Sequence, residues 1–168
     1  MMRWNATSEF LLALGVSMMM LGGPASALDK SSAEAVVTIV EQLNDDVGPV
    51  AYDDEEADRW FESDLDSDGL IGKAGFDQSS WKEAFDETIA GYFATIPDDE
   101  IMAAYDRIRQ RTQASKAVSA QQKQMLMQMI DEQVAEMGQL RSKGRAHAAI
   151  VRPLAPRLRK LIPLNQAD

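Results

Sequence analysis

Residues 81–96 read WKEAFDETIAGYFATI, and the spacing of their apolar side chains sets the expectation for the whole chain. Large apolar residues recur every three or four positions, which is the period of an α-helix with one wide buried face. They are Trp81, Phe85, Ile89, Tyr92, Phe93 and Ile96. We predict that this helix forms the core of the protein, with Ser79 or Ser80 as its N-cap.

The same helical period continues on both sides of the aromatic segment. Ser119 followed three residues later by Gln122 has the form of a capping box and predicts the start of a long helix that stops at Gly144. No segment alternates as a strand would. The sequence therefore predicts an all-α helical bundle of five to seven helices. Besides the aromatic helix, we expect helices at about 32–44, 53–61, after Pro97 to near Ala114, 119–143, 146–151 and 155–162.

The first 27 residues have the pattern of a secretory signal peptide. Arg3 precedes the apolar run FLLALGVSMMMLGG (residues 10–23), and Ala25-Ser26-Ala27 supplies a small-residue cleavage site. The apolar run of about 14 residues is shorter than the roughly 20 that cross a bilayer, and no later segment is apolar enough. We predict cleavage after Ala27, which leaves residues 28–168 as one helical domain in the periplasm or outside the cell; an uncleaved membrane anchor, favoured by Glu9 before the apolar run, is the alternative.

Composition excludes much of the usual chemistry of enzymes. The 168 residues contain no cysteine and one histidine, so disulfides, thiolate metal sites and the common catalytic triads are ruled out. Met125, Met127 and Met129 do not converge on one helix face, and we expect them to pack in the core rather than bind copper. His147 has no second histidine nearby, and we expect a surface or helix-cap role. We predict that the protein is not an enzyme.

Charge is divided unevenly along the predicted mature chain. Residues 28–106 hold 22 acidic and 4 basic side chains, whereas residues 107–168 hold 4 acidic and 12 basic ones. The division favours pairing within the bundle or solvated faces, and a basic surface for an anionic partner is the alternative. Nucleic acid is disfavoured because the net charge is −10 and the basic half contains no Phe, Tyr or Trp.

Residues 64–75, DLDSDGLIGKAG, contain the chain's most specific motif. Asp64, Asp66 and Asp68 stand at alternate positions, and Gly69 follows where a sharp turn is needed. The segment resembles the EF-hand calcium loop. The resemblance implies a helix–loop–helix unit in which the three aspartates and the Leu70 carbonyl bind Ca²⁺.

The loop departs from the EF-hand pattern at its twelfth position. Gly75 stands where the family has a bidentate Glu, so we expect low affinity, with Asp77, Glu83 or water as the substitute ligand. EF-hands also come in pairs and no second loop is present, so a homodimer would have to pair two hands. The predicted function is an exported, calcium-responsive module that binds another protein, its identity unknown.

An alternative function rests on residues 118–122, Val-Ser-Ala-Gln-Gln. This segment is similar to the LTxxQ motif of the Spy/CpxP family of small periplasmic helical proteins. The resemblance implies a chaperone or envelope-stress adaptor, with residues 64–75 as a loop that binds no metal. The basic residues expected to meet an anionic partner are Arg141, Arg145, Arg152 and Arg157.

Overall fold

A computed structural model describes residues 28–50, 53 and 55–162; the predicted signal peptide lies outside this part of the chain. The described residues form helices and connecting turns without any strand, which confirms the predicted all-α bundle. The helices are α1 (Lys30–Val47), α2 (Glu56–Leu65), α3 (Leu70–Lys73), α4 (Gln78–Thr95), α5 (Asp98–Ala114), α6 (Ala120–Gly144), α7 (Ala148–Val151) and α8 (Ala155–Leu161), with a 3-10 turn at Arg152–Leu154.

The aromatic helix α4 is the centre of the bundle, as its sequence predicts. Its large side chains are buried, and α1, α2, α6 and α7 all pack against it. The N-cap lies two or three residues before the serines that were predicted to supply it. Asp77 is the N-cap, and Ser80 is its partner in a capping box, so the prediction of a serine cap was wrong.

The close approach of α6 to α4 depends on a glycine. A Cβ atom placed on Gly144 would lie 1.9 Å from the carbonyl oxygen of Ala90, which is backbone and has no rotamer to change. Any side chain at this position would therefore force the two helices apart. The same consideration does not hold for Gly138 on α6, where an added Cβ meets nothing within 4 Å.

Two buried indole groups form hydrogen bonds at α2, one from α4 and one within α2 itself. Trp81 of α4 donates its indole N–H to the carbonyl oxygen of Ala57 at 2.9 Å. Trp60 of α2 donates to the buried carboxylate of Glu56 at 2.7 Å, and Arg59 pairs with the same carboxylate at 2.6 Å. Both indole donors are thus satisfied inside the protein, as burial requires.

Ion pairs connect the acidic and basic parts of the chain. Arg157 of α8 donates to Glu41 of α1 at 2.6 Å and also pairs with Glu34. Arg159 pairs with Glu100. The charge division seen in the sequence is thus partly neutralised within the fold. Among the described residues, no helix combines the length and the apolar character needed to cross a membrane.

Helices α5 and α6 form a hairpin whose far end extends beyond the bundle. The near part is fixed by buried Ile101, Tyr105, Ile130 and Met137. Residues 106–129, which we call the arm, contain no buried side chain. The prediction of core packing was wrong for Met125 and Met129, which are 59% and 49% exposed, because none of the described helices covers that face. Met127 does pack partly against the core.

Candidate functional site

The first aspartate of the EF-hand-like loop is buried and serves as a helix cap. Asp64 is 2% exposed at the end of α2. Its Oδ1 accepts a hydrogen bond from the backbone N–H of Leu70, and its Oδ2 accepts one from Ile71, both at 2.8 Å. These are the first amides of α3, which have no partner within that helix. Asp64 therefore connects the end of α2 to the start of α3.

The glycine at the sixth loop position has the conformation that the motif predicts. Gly69 has φ +63°, in the left-handed region where a residue without Cβ is favoured. Its N–H and that of Ser67 both donate to the carbonyl oxygen of Asp64 at 3.1 Å. Ile71, two residues beyond Gly69, is fully buried. The backbone turn is thus compact and closed by its own hydrogen bonds.

The other predicted calcium ligands differ from Asp64 in their roles. Asp66 is the C-cap residue of α2 and is exposed, as is Asp68. Asp77 accepts hydrogen bonds from the backbone N–H of Ser80 at 2.8 Å and from its hydroxyl at 2.6 Å. The side-chain bond from Ser80, followed by the backbone bond, holds the pKa of Asp77 below its ordinary value. Asp77 is therefore engaged in capping α4.

Asp64 and Asp77 thus use their carboxylates as helix caps, whereas Asp66 and Asp68 are exposed carboxylates of the loop. Across the described ranges, no three His, Cys, Asp or Glu side chains converge as a metal site would require. Gly75 supplies no side-chain oxygen, and its φ of +93° would strain a glutamate placed there. The loop has a structural explanation in the Asp64 cap, and calcium binding stays a prediction.

The arm is the second candidate site, and it joins basic charge to exposed apolar groups. Its residues 106–129 contain five Lys or Arg and one acidic residue, Asp106. Ser119 and Gln122 form the predicted capping box at the tip, with backbone-to-side-chain bonds of 2.9 and 3.3 Å. The exposed apolar side chains on the hairpin are Met102, Ile108, Met125, Leu126 and Met129.

Two of the four arginines predicted to meet an anionic partner are engaged inside the fold. Arg141 donates to the carbonyl oxygens of Phe93 and Ile96 at 3.0 and 2.5 Å and pairs with Asp98. Arg157 holds α8 to α1. Arg145 and Arg152 are exposed. Exposed basic charge is thus present at Arg145 and Arg152 as well as on the arm.

An open, mainly acidic groove lies beside α2, far along the chain from the arm. Its volume is about 720 Å³, and Pro49, Val50, Asp53, Glu55, Glu56, Asp58, Arg59 and Glu62 line it. The sequence shows the run of acids but not the groove, in which Pro49 and Val50 lie beside residues of α2. Its charge is opposite to that of the arm.

Comparisons with protein-family models, curated proteins and solved structures find no match to this chain. Function is therefore inferred from the residues and their geometry alone.

Proposed function

We propose that the protein is an exported binding module of the adaptor or chaperone type, and that the arm is its binding surface. The observation that carries the proposal is that residues 106–129 contain no buried side chain, whereas the other long helices of the described chain are buried along one face. Two helices extended into solvent contribute little to the stability of the bundle. Contact with another molecule would explain why their apolar side chains are exposed.

The chemistry of the arm favours a polypeptide partner with acidic and apolar residues. Met125 and Met129 are flexible thioether side chains, which adapt to apolar groups of varied shape. Lys116 is exposed in the turn that connects α5 to α6. Basic charge next to such a surface attracts acidic segments and speeds their association. An unfolded acidic protein chain has both properties.

The base of the hairpin is built to hold the arm in a fixed direction. Arg141 joins α6 to the end of α4 through the carbonyl oxygens of Phe93 and Ile96. Arg109 of α5 pairs with Asp131 of α6 at 2.8 Å, and buried Tyr105 packs between the helices. These contacts support a rigid presentation of the arm, which lowers the entropic cost of binding.

A binding assay with an unfolded acidic client protein tests this proposal. We expect the double variant Met125→Gln, Met129→Gln to bind about tenfold or more weakly, because apolar contacts on both residues are lost. Leu65→Gln is the matched control, since Leu65 is 66% exposed but lies on α2. Lys116→Glu should weaken binding and make it less dependent on salt.

Equal affinity for the wild type and the methionine double variant would refute the arm as the binding surface. Light scattering of the protein alone gives an independent readout. Concentration-dependent association that Lys116→Glu abolishes would identify a second copy, docked through its acidic groove, as the partner instead.

A second proposed function is calcium response at residues 64–75. The left-handed Gly69 and the solvent-facing positions of Asp66 and Asp68 favour it. Ca²⁺ binding to the native state would raise the midpoint of thermal unfolding in millimolar Ca²⁺ but not in Mg²⁺. Asp66→Ala or Asp68→Ala should abolish the shift, and the mass in solution would reveal whether two hands pair in a homodimer. No shift in the wild type would refute this function and leave the arm proposal intact.

A further inference from the structure

The start of the described chain is buried rather than loose. Leu28 is 4% exposed, and its side chain belongs to the core. Its backbone nitrogen donates a hydrogen bond to Oε2 of Glu87, on α4, at 2.9 Å. Directly after it, Asp29 caps α1 by accepting a hydrogen bond from Ser32 N–H at 2.7 Å. Leu28 and Asp29, just before α1, are thus both held by contacts within the fold.

The other oxygen of the Glu87 carboxylate lies near the imidazole of His147. Nε2 of His147 lies 3.5 Å from Oε1 of Glu87, and the imidazole is 14% exposed. His147 is the residue before α7, so one carboxylate on the central helix contacts both the start of the chain and its C-terminal part. The two oxygens of Glu87 therefore lie at the Leu28 nitrogen and near the His147 imidazole, respectively.

We propose that Leu28 is the mature amino terminus and that its α-ammonium group binds the Glu87 carboxylate. Residues 25–27, Ala-Ser-Ala, precede it in the form that an export peptidase cleaves. Hydrolysis of the Ala27–Leu28 amide consumes one water molecule. The C–N bond breaks, Ala27 leaves with a carboxylate, and the Leu28 nitrogen becomes an amine that takes up a proton.

Cleavage changes the strength of this contact without any need to move the chain. Before cleavage the Leu28 nitrogen is a neutral amide with a single hydrogen. Afterwards it is a cation with three hydrogens, and a charge-assisted bond to a carboxylate is about twice as strong as a neutral one. Removal of the export segment would in this way strengthen the bond between Leu28, just before α1, and Glu87 on α4.

The first test locates the new terminus. The full chain is expressed with export, and the mass of the purified protein is measured. We expect the loss of residues 1–27, so that the chain begins at Leu28. Retention of those residues, or a terminus at another position, overturns the proposal.

The second test measures the contact itself as a thermal unfolding midpoint. Selective acetylation of the α-amino group of the exported protein should lower the midpoint by about 3–6 °C, and Glu87→Gln should lower it similarly. In the Glu87→Gln protein, acetylation should have no further effect. Glu83→Gln, an exposed position one turn away on α4, is the control and should behave as the wild type.

An equal effect of acetylation in the wild type and in Glu87→Gln would overturn the proposed pair. Should Glu87→Gln fail to fold, a chain with one glycine added before Leu28 keeps Glu87 and displaces the ammonium by one residue. We expect the same lowering of the midpoint for that chain, and an unchanged midpoint would also overturn the proposal.

Discussion

The three aspartates of residues 64–68 share a motif but not a role. Asp64 is buried and accepts two backbone hydrogen bonds, whereas Asp66 and Asp68 are exposed. Removal of Asp64 would leave the N–H groups of Leu70 and Ile71 without their acceptor. A buried donor that loses its partner costs about 1–3 kcal/mol, more than the bond itself contributes.

Asp64→Ala should therefore lower the free energy of unfolding by about 2–3 kcal/mol, even in the presence of a chelator. Asp66→Ala should change it by less than about 0.5 kcal/mol, as is usual for an exposed side chain. Urea unfolding followed by circular dichroism measures both values. Similar losses for the two variants would show that Asp64 has no special structural role.

The sequence predicted the turn of this loop, but not which way its side chains point. Gly69 adopts the left-handed turn expected of it because its position in the motif alone requires that conformation. Asp64 was predicted as a metal ligand, and its capping role was missed because α3 is only four residues long and has no periodicity to detect. Asp77 was missed as the cap of α4 because two serines follow it.

At the level of helices, α6 was the best predicted element because its own residues determine both ends. The Ser119–Gln122 capping box fixes its start, and Gly144 was correctly placed at its end. The sequence did not reveal that Gly144 is needed for contact with Ala90. The outward methionines were missed for a related reason: an apolar stripe indicates a helix face but not whether a partner covers it.

Gly144→Ala should lower the free energy of unfolding by about 2–4 kcal/mol, because the new methyl group overlaps the Ala90 carbonyl and the helices must separate. Gly138→Ala in the same helix should raise it by up to about 1 kcal/mol, since alanine favours the helix and meets no neighbour. Denaturant unfolding of the two variants measures the difference. A stabilising Gly144→Ala would contradict the close contact.

At the scale of the whole fold, ion pairs join the first and the last described helices, α1 and α8. Arg157 of α8 bonds Glu41 of α1, and this hydrogen bond, together with the positive charge, holds the pKa of Glu41 below its ordinary value of 4.5. The pair lies 116 residues apart in sequence. The uneven charge of the sequence predicted such pairing, but which residues would meet follows only from the packing of α8.

The Glu41–Arg157 pair makes stability depend on pH in a defined direction. Because the pKa of Glu41 is lower in the folded state, the stabilisation is fully present above about pH 4.5 and is lost as the pH falls through the native value. Thermal unfolding from pH 7 to 3 should show a smaller decrease for Glu41→Gln than for the wild type. Glu62→Gln, an exposed change on α2, should follow the wild type. Identical profiles for all three proteins would exclude this contribution.

The exposed hairpin also has a consequence for how the protein can be handled. Since residues 106–129 contain no buried side chain, their amide hydrogens should exchange with deuterium sooner than those of α4. The turn at residues 115–118 can then accept a fluorophore or a short epitope sequence without loss of the core. A fluorophore attached there would lie at the tip of the arm, and its emission would change when another molecule binds to the arm.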